Sequence, residues 1–161
     1  ETTRSESLAN DLERRFPRDT IVRFTYVPTL RALAAVARNE PARAIELLQA
    51  NVPYELAVPP TAFNFFFGSL YSLYVRAQAY AANGQHKQAV AEFQKILDHR
   101  GLMMGDPAGA RALLEKARAL ARAADQMGAR ATYQEFLLLW KDADPDVPVL
   151  AQAKAEYAKL K

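Results

Sequence analysis

Two groups of side chains have types and spacings suited to chemistry, and the first is histidine with its acidic neighbour. His86 and His99 are the only histidines, thirteen residues apart. A metal held on one helix asks for ligands at i and i+3 or i+4, or for carboxylates converging in space, and this pair offers neither. His86 falls at an expected helix start beside Lys87. His99 falls at an expected helix end between Asp98 and Arg100, where an imidazolium suits the helix dipole. Asp98 with His99 resembles half a catalytic dyad, but adjacent residues on a helix do not face each other. The absence of cysteine removes thiolate nucleophiles, disulfides and cysteine-based zinc sites. No glycine-rich phosphate loop, nucleophile elbow or paired-carboxylate motif occurs. The segment therefore reads as non-enzymatic, with no metal and no cofactor.

The second group suits recognition. Over 61–83 the spacing predicts one long helix whose core stripe is Phe66, Leu70, Leu73, Ala77 and Tyr80. Phe63, Phe67, Tyr71, Tyr74 and Gln78 form a second stripe on the same helix. A helix apolar on two faces is either central in a stack or displays a binding surface. For the phenylalanines, Phe65 included, extra core against a proline-rich connector is the plainer reading. For Tyr71 and Tyr74 the two readings balance, because a tyrosine joins a large apolar ring to a polar tip. Arg111, Arg118 and Arg122 stand at i, i+7 and i+11, with Arg118 and Arg122 within about 20° of the direction of Arg111 on a helix. Guanidinium groups at one end of a surface and tyrosines at the other suit an acidic or C-terminal carboxylate peptide. The plainer alternative is a solvated face in which Glu115 bridges Arg111 and Arg118.

The elements that must position these residues are helices. Half of the 161 residues are hydrophobic, alanine is abundant and only six are glycine, so an all-α fold is expected. The net charge of +3 is small and dispersed, a weak argument for nucleic acid or an anionic surface. No run of about 18 apolar residues exists to span a bilayer. A first helix ends at Phe16-Pro17 with Leu8, Leu12 and Phe16 expected inward. Asp19 or Thr20 caps a second element, in which Ile21 to Val27 is β-branched and aromatic but has no strand partner, so helix is expected, kinked or restarted at Pro28. Asn39-Glu40 forms a turn and Pro41 opens the partner helix. Residues 51–60 read as a connector, Gly84 as a turn, and 86–99 as a helix. A second connector holds Met103 and Met104; Asp106-Pro107 then opens a helix to about 123, followed by another over 126–141. The last helix, 148–160, turns Leu150, Ala153, Tyr157 and Leu160 to one side.

One pattern recurs. Ala32, Ala35, Asn39, Ala44 and Leu48 return as Ala77, Tyr80, Gly84, Ala89 and Phe93, and again as Ala117, Leu120, Ala124, Ala129 and Tyr133. Small residues at these offsets let the two helices of a hairpin approach closely, and the pattern resembles tetratricopeptide repeats. The equivalent alanines lie 45 and 40 residues apart, against about 34 in the standard repeat. The resemblance implies an α-solenoid of stacked antiparallel helix pairs, about eight helices in all. Residues 1–16 would be the trailing helix of a truncated repeat, 20–50, 61–99 and 107–141 three pairs, and 147–161 a capping helix. Together with Leu97-Asp98-His99-Arg100-Gly101 and Trp140-Lys141-Asp142-Ala143-Asp144-Pro145-Asp146, the chain is similar to C-terminal repeat regions of acidobacterial-type serine/threonine protein kinases, and of winged-helix transcriptional regulators built the same way.

That resemblance implies a protein- or peptide-binding module, the sensor or docking region of a larger signalling protein. Groove-lining positions would be Tyr71, Tyr74, Gln78, Arg111, Arg118 and Arg122. Self-association through the first and last helices, and nucleic-acid contact through the arginine face, are the alternatives. Glu1 is not an initiator methionine and no signal-peptide pattern follows, so the chain is expected to be a piece of a longer protein. The compartment stays open, and a membrane-spanning kinase parent would place the repeats outside the cytoplasm.

Overall fold

The computed structural model describes residues 2–57, 70–102, 106–144 and 146–160. Among the described residues there are eight α-helices and no strand, so the all-α expectation holds. They are α1 (Thr2–Arg15), α2 (Val27–Ala37), α3 (Pro41–Leu48), α4 (Tyr71–Ala82), α5 (His86–Asp98), α6 (Ala108–Arg122), α7 (Gln126–Leu139) and α8 (Pro148–Ala158). Phe63, Phe65, Phe66 and Phe67, with the first part of the helix expected over 61–83, lie outside the described residues. So do Met103, Met104 and Pro145.

Side chains supply several of the helix ends. Asp19 Oδ1 accepts from the Val22 amide at 2.9 Å, Asp106 Oδ1 from the Ala108 amide at 2.7 Å, and Asp125 Oδ1 from the Gly128 amide at 2.9 Å. Each satisfies an amide that the helix itself leaves without a partner. Pro41 and Pro148 sit in first turns, where a missing amide costs nothing.

The three hairpins close with one backbone device. Asn39, Gly84 and Ala124 take left-handed φ angles of 61°, 75° and 63°. The following amide donates to the carbonyl five residues back: Glu40 to Ala35 at 2.9 Å, Gln85 to Tyr80 at 2.9 Å, Asp125 to Leu120 at 3.0 Å. This is the Schellman closure, which reverses the chain while satisfying carbonyls at the helix end. The alanines of the repeated pattern other than the turn residue Ala124, namely Ala32, Ala35, Ala44, Ala77, Ala89, Ala117 and Ala129, are fully buried, and Ala124 is exposed. The core passes from pair to pair. Val75 and Ala79 of α4 join the cluster of α2 and α3, while Leu73, Tyr74 and Ala77 of the same helix join that of α5 and α6. A third cluster holds α6, α7 and α8 together.

Two segments differ from expectation. On α1 the buried residue is Ala9, with Leu12 partly covered, and Leu8 and Phe16 are exposed. A small residue at the contact brings α1 close to α2, and the closer approach turns the bulky side chains outward. Ahead of Pro28, Val22–Tyr26 forms a π-helical turn that runs straight into α2, with the Val27 amide donating to Val22. Proline removes an amide from the ladder, and the widened turn upstream absorbs the mismatch. Thr29 Oγ1 donates to the Thr25 carbonyl at 2.6 Å, satisfying a second carbonyl in that turn.

Consecutive helices pack throughout. The even-numbered α2, α4 and α6 also touch along their own row, whereas the odd-numbered helices have at most marginal contact with one another. The row of α2, α4 and α6 is thus the more closely packed one, and we call its side the inner side.

Candidate functional site

The inner side carries all six residues singled out for recognition, distributed over α4 and α6. At one end stand Tyr71, Tyr74 and Arg111. Tyr71, at the start of α4, is 43 % exposed. Tyr74 is 4 % exposed and belongs to the core: its ring meets Phe93 edge-on at 5.8 Å and stacks with Tyr71 at 6.2 Å. Arg111, exposed near the start of α6, lays its guanidinium 5.9 Å from the Tyr74 ring centre. That cation–π contact fastens α6 to α4. The Tyr74 hydroxyl is buried without a hydrogen-bond partner among the described residues. Burial raises its pKa, against the pull of the Arg111 charge. Gln78 is half-buried on α4 and forms no side-chain hydrogen bond among the described residues.

Arg118 and Arg122 lie toward the other end of α6; Arg122 is about 16 Å from Arg111 along the helix axis. Arg118 is already engaged. Its Nε and Nη2 donate to the two carboxylate oxygens of Glu156 on α8, both at 2.9 Å, and its Nη1 donates to Glu115 at 2.7 Å. The Tyr133 hydroxyl donates to Glu156 Oε2 at 2.9 Å. One carboxylate thus receives a bidentate guanidinium and a phenol, a geometry that strengthens charge-assisted hydrogen bonds. Burial works to raise the Glu156 carboxyl, but the bonds from Arg118 and Tyr133 together outweigh it and hold it below the usual carboxylate range. The bond to Glu156 raises Arg118, and burial followed by that same carboxylate raises Tyr133. Beside this cluster opens a cleft of about 380 Å³, lined by Arg118, Arg122, Tyr133, Glu156 and Lys159 among others. Neither Arg122 nor Lys159 forms an ion pair among the described residues. The Glu115 bridge anticipated between Arg111 and Arg118 is present on the Arg118 side only.

The histidines stay apart, at the two ends of α5. His99 Nδ1 pairs with the Lys95 carbonyl at 2.8 Å, and Asp98 accepts from Gln94 at 2.7 Å.

A buried polar cluster behind the inner layer escaped the reading of spacings. Arg76, 2 % exposed on α4, donates to Glu55 at 2.6 Å and to Glu92 on α5 at 2.6 Å. Lys95 closes the network by bonding the other oxygen of Glu55. Alongside, Ser72 donates to the buried Asn51 at 2.5 Å and Asn51 donates to Thr25 at 3.1 Å. Asn51 and Glu55 come from the expected connector, whose first residues belong to a 3₁₀ helix, Gln49–Tyr54, that begins at the end of α3. The cluster therefore pins that connector to α4 and fixes the register of the helix carrying Tyr71. One signal was available: Arg76 is the only charge between Thr61 and Asn83.

No protein-family model, curated protein or solved structure matches the chain. No helix among the described residues is long and apolar enough to cross a membrane.

Proposed function

We propose that the chain is a tetratricopeptide-like module that binds a protein or peptide on its inner face, as the docking or sensing region of a larger bacterial signalling protein, with a serine/threonine kinase as the favoured parent. The supporting observation is an exposed tyrosine ring together with guanidinium groups that have no carboxylate partner among the described residues, on one helical layer: Tyr71 and Arg111 at one end, Arg122 at the other. The repeated left-handed turns and buried alanines support the repeat assignment. Aromatic and guanidinium side chains are the usual anchors of protein interfaces, and the charge favours an acidic or carboxylate-terminated ligand.

Anisotropy titrations against a panel of labelled acidic and neutral decapeptides test this. The acidic members should bind at low salt, weaken as salt rises, and lose at least about tenfold in affinity with Tyr71→Ala combined with Arg122→Glu. Equal binding by the variant removes the inner face as the site. Self-association is the second reading, supported by Met127, Leu138 and Leu139, which α7 leaves 85, 69 and 58 % exposed. A sedimentation series that stays monomeric at high concentration removes it.

A further inference from the structure

On the reading of the inner face as a recognition surface, we infer that α8 is an exchangeable occupant of the seat formed by α6 and α7, and that an acidic amphipathic helix of a partner carrying the pattern of α8 takes its place. The seat is a built carboxylate site. Arg118 and Tyr133 put three donors on Glu156, the only acidic residue of α8. The apolar side of α8 is thin: only Leu150 and Ala153 are buried, with Val149, Tyr157 and Leu160 partly covered. The remaining anchors are Gln134 donating to the Tyr157 hydroxyl at 2.8 Å, Arg130 donating to the Leu160 carbonyl, and the Tyr157 ring, 6.3 Å from that of Tyr133 and 5.4 Å from the Arg130 guanidinium.

Charge points to the incoming helix. The seat offers Arg118, Arg122 and Arg130 against the single acid Glu115, while α8 brings one glutamate and the following segment brings Lys159 into the same cleft. α8 therefore under-neutralises its own site. A helix with leucine, alanine, glutamate and tyrosine at the spacing of Leu150, Ala153, Glu156 and Tyr157, and with an acid in place of Lys159, matches the same contacts and removes the excess positive charge. Binding of such a helix and departure of α8 are one exchange, and α8 lowers the apparent affinity by the fraction of time it is seated.

The chain has no cysteine, so an acceptor dye on a single Ala158→Cys reports the distance of α8 from Trp140, the only tryptophan. Two labelled peptides serve as probes, both spanning residues 147–160 with K159E, the second also carrying E156Q. The first should bind the full chain, reduce energy transfer from Trp140 to the dye, and bind at least about tenfold more tightly than the second. On an Arg118→Gln chain the two peptides should bind alike. Equal affinities on the wild-type chain, or binding with transfer unchanged, overturn the exchange. A dimer in sedimentation without peptide that is lost on Glu156→Gln makes a second copy the occupant and overturns the partner assignment. Acidic decapeptides that bind while the α8 peptides fail to discriminate sink this inference alone; failure of both sets sinks the inner-face reading with it.

Discussion

Arg76 stands in the middle of α4 with no other charge on its helix, and it is almost wholly enclosed. A guanidinium removed from water is tolerated only when its donors are taken up, and Glu55, Glu92 and the Leu48 carbonyl take them. Removing Arg76 takes from the buried Glu55 one of its two cationic partners and from Glu92 its ion-pair partner. Arg76→Ala should lower stability by about 3–5 kcal/mol in urea unfolding, and Arg76→Met with Glu55→Leu should recover much of that loss, because an apolar pair of similar volume needs no partner. Ala124 presents the opposite case. Its φ of 63° is left-handed, where a Cβ crowds the backbone, and Gly84 fills the equivalent turn without that strain. Ala124→Gly should raise stability by about 0.5–1 kcal/mol, the relief of strain exceeding the added freedom of the unfolded chain. A midpoint that falls in the same unfolding measurement would show that the turn carries no such strain.

Among the elements, α8 depends most on one ionised group. Glu156 holds its proton less tightly folded than unfolded, so its pair with Arg118 contributes fully above the ordinary glutamate value of 4.5 and is lost as pH falls through the lowered one. Glu156→Gln should cost about 1 kcal/mol at neutral pH, a modest figure because the pair is partly exposed to solvent. As pH falls below the ordinary glutamate value the thermal midpoints of variant and wild type should draw together; a gap that stays constant on acidification would detach the carboxylate from the docking of α8. Several helix boundaries were legible in the sequence because their signals are local: Asp19, Pro41, Gly84 and Asp106 act on amides or angles within a few residues. The network around Arg76 was not legible, since Glu55 lies 21 residues before it and Glu92 16 after, in different elements. Glu156 was hidden for the same reason, 38 residues from Arg118. The inward face of α1 was misassigned because periodicity ranks residues by bulk, and the contact at Ala9 selects for smallness.

At the scale of the molecule, three hairpins with one turn geometry, buried alanines at one set of offsets and a core that passes from pair to pair make a stack. The repeated offsets were enough to anticipate that stack, since they encode contacts inside a hairpin and between neighbours. Which row packs more closely, and that its own last helix fills the carboxylate seat, depend on how successive pairs settle, which no single offset records. Among the described residues consecutive helices supply most of the packing, and the main further helix contacts are with the next-but-one helix. A chain joined in that way has few long loops to close, so it assembles quickly from whichever hairpin forms first. Stretched between its ends, it peels apart a hairpin at a time, leaving the remaining pairs intact while the outermost yields.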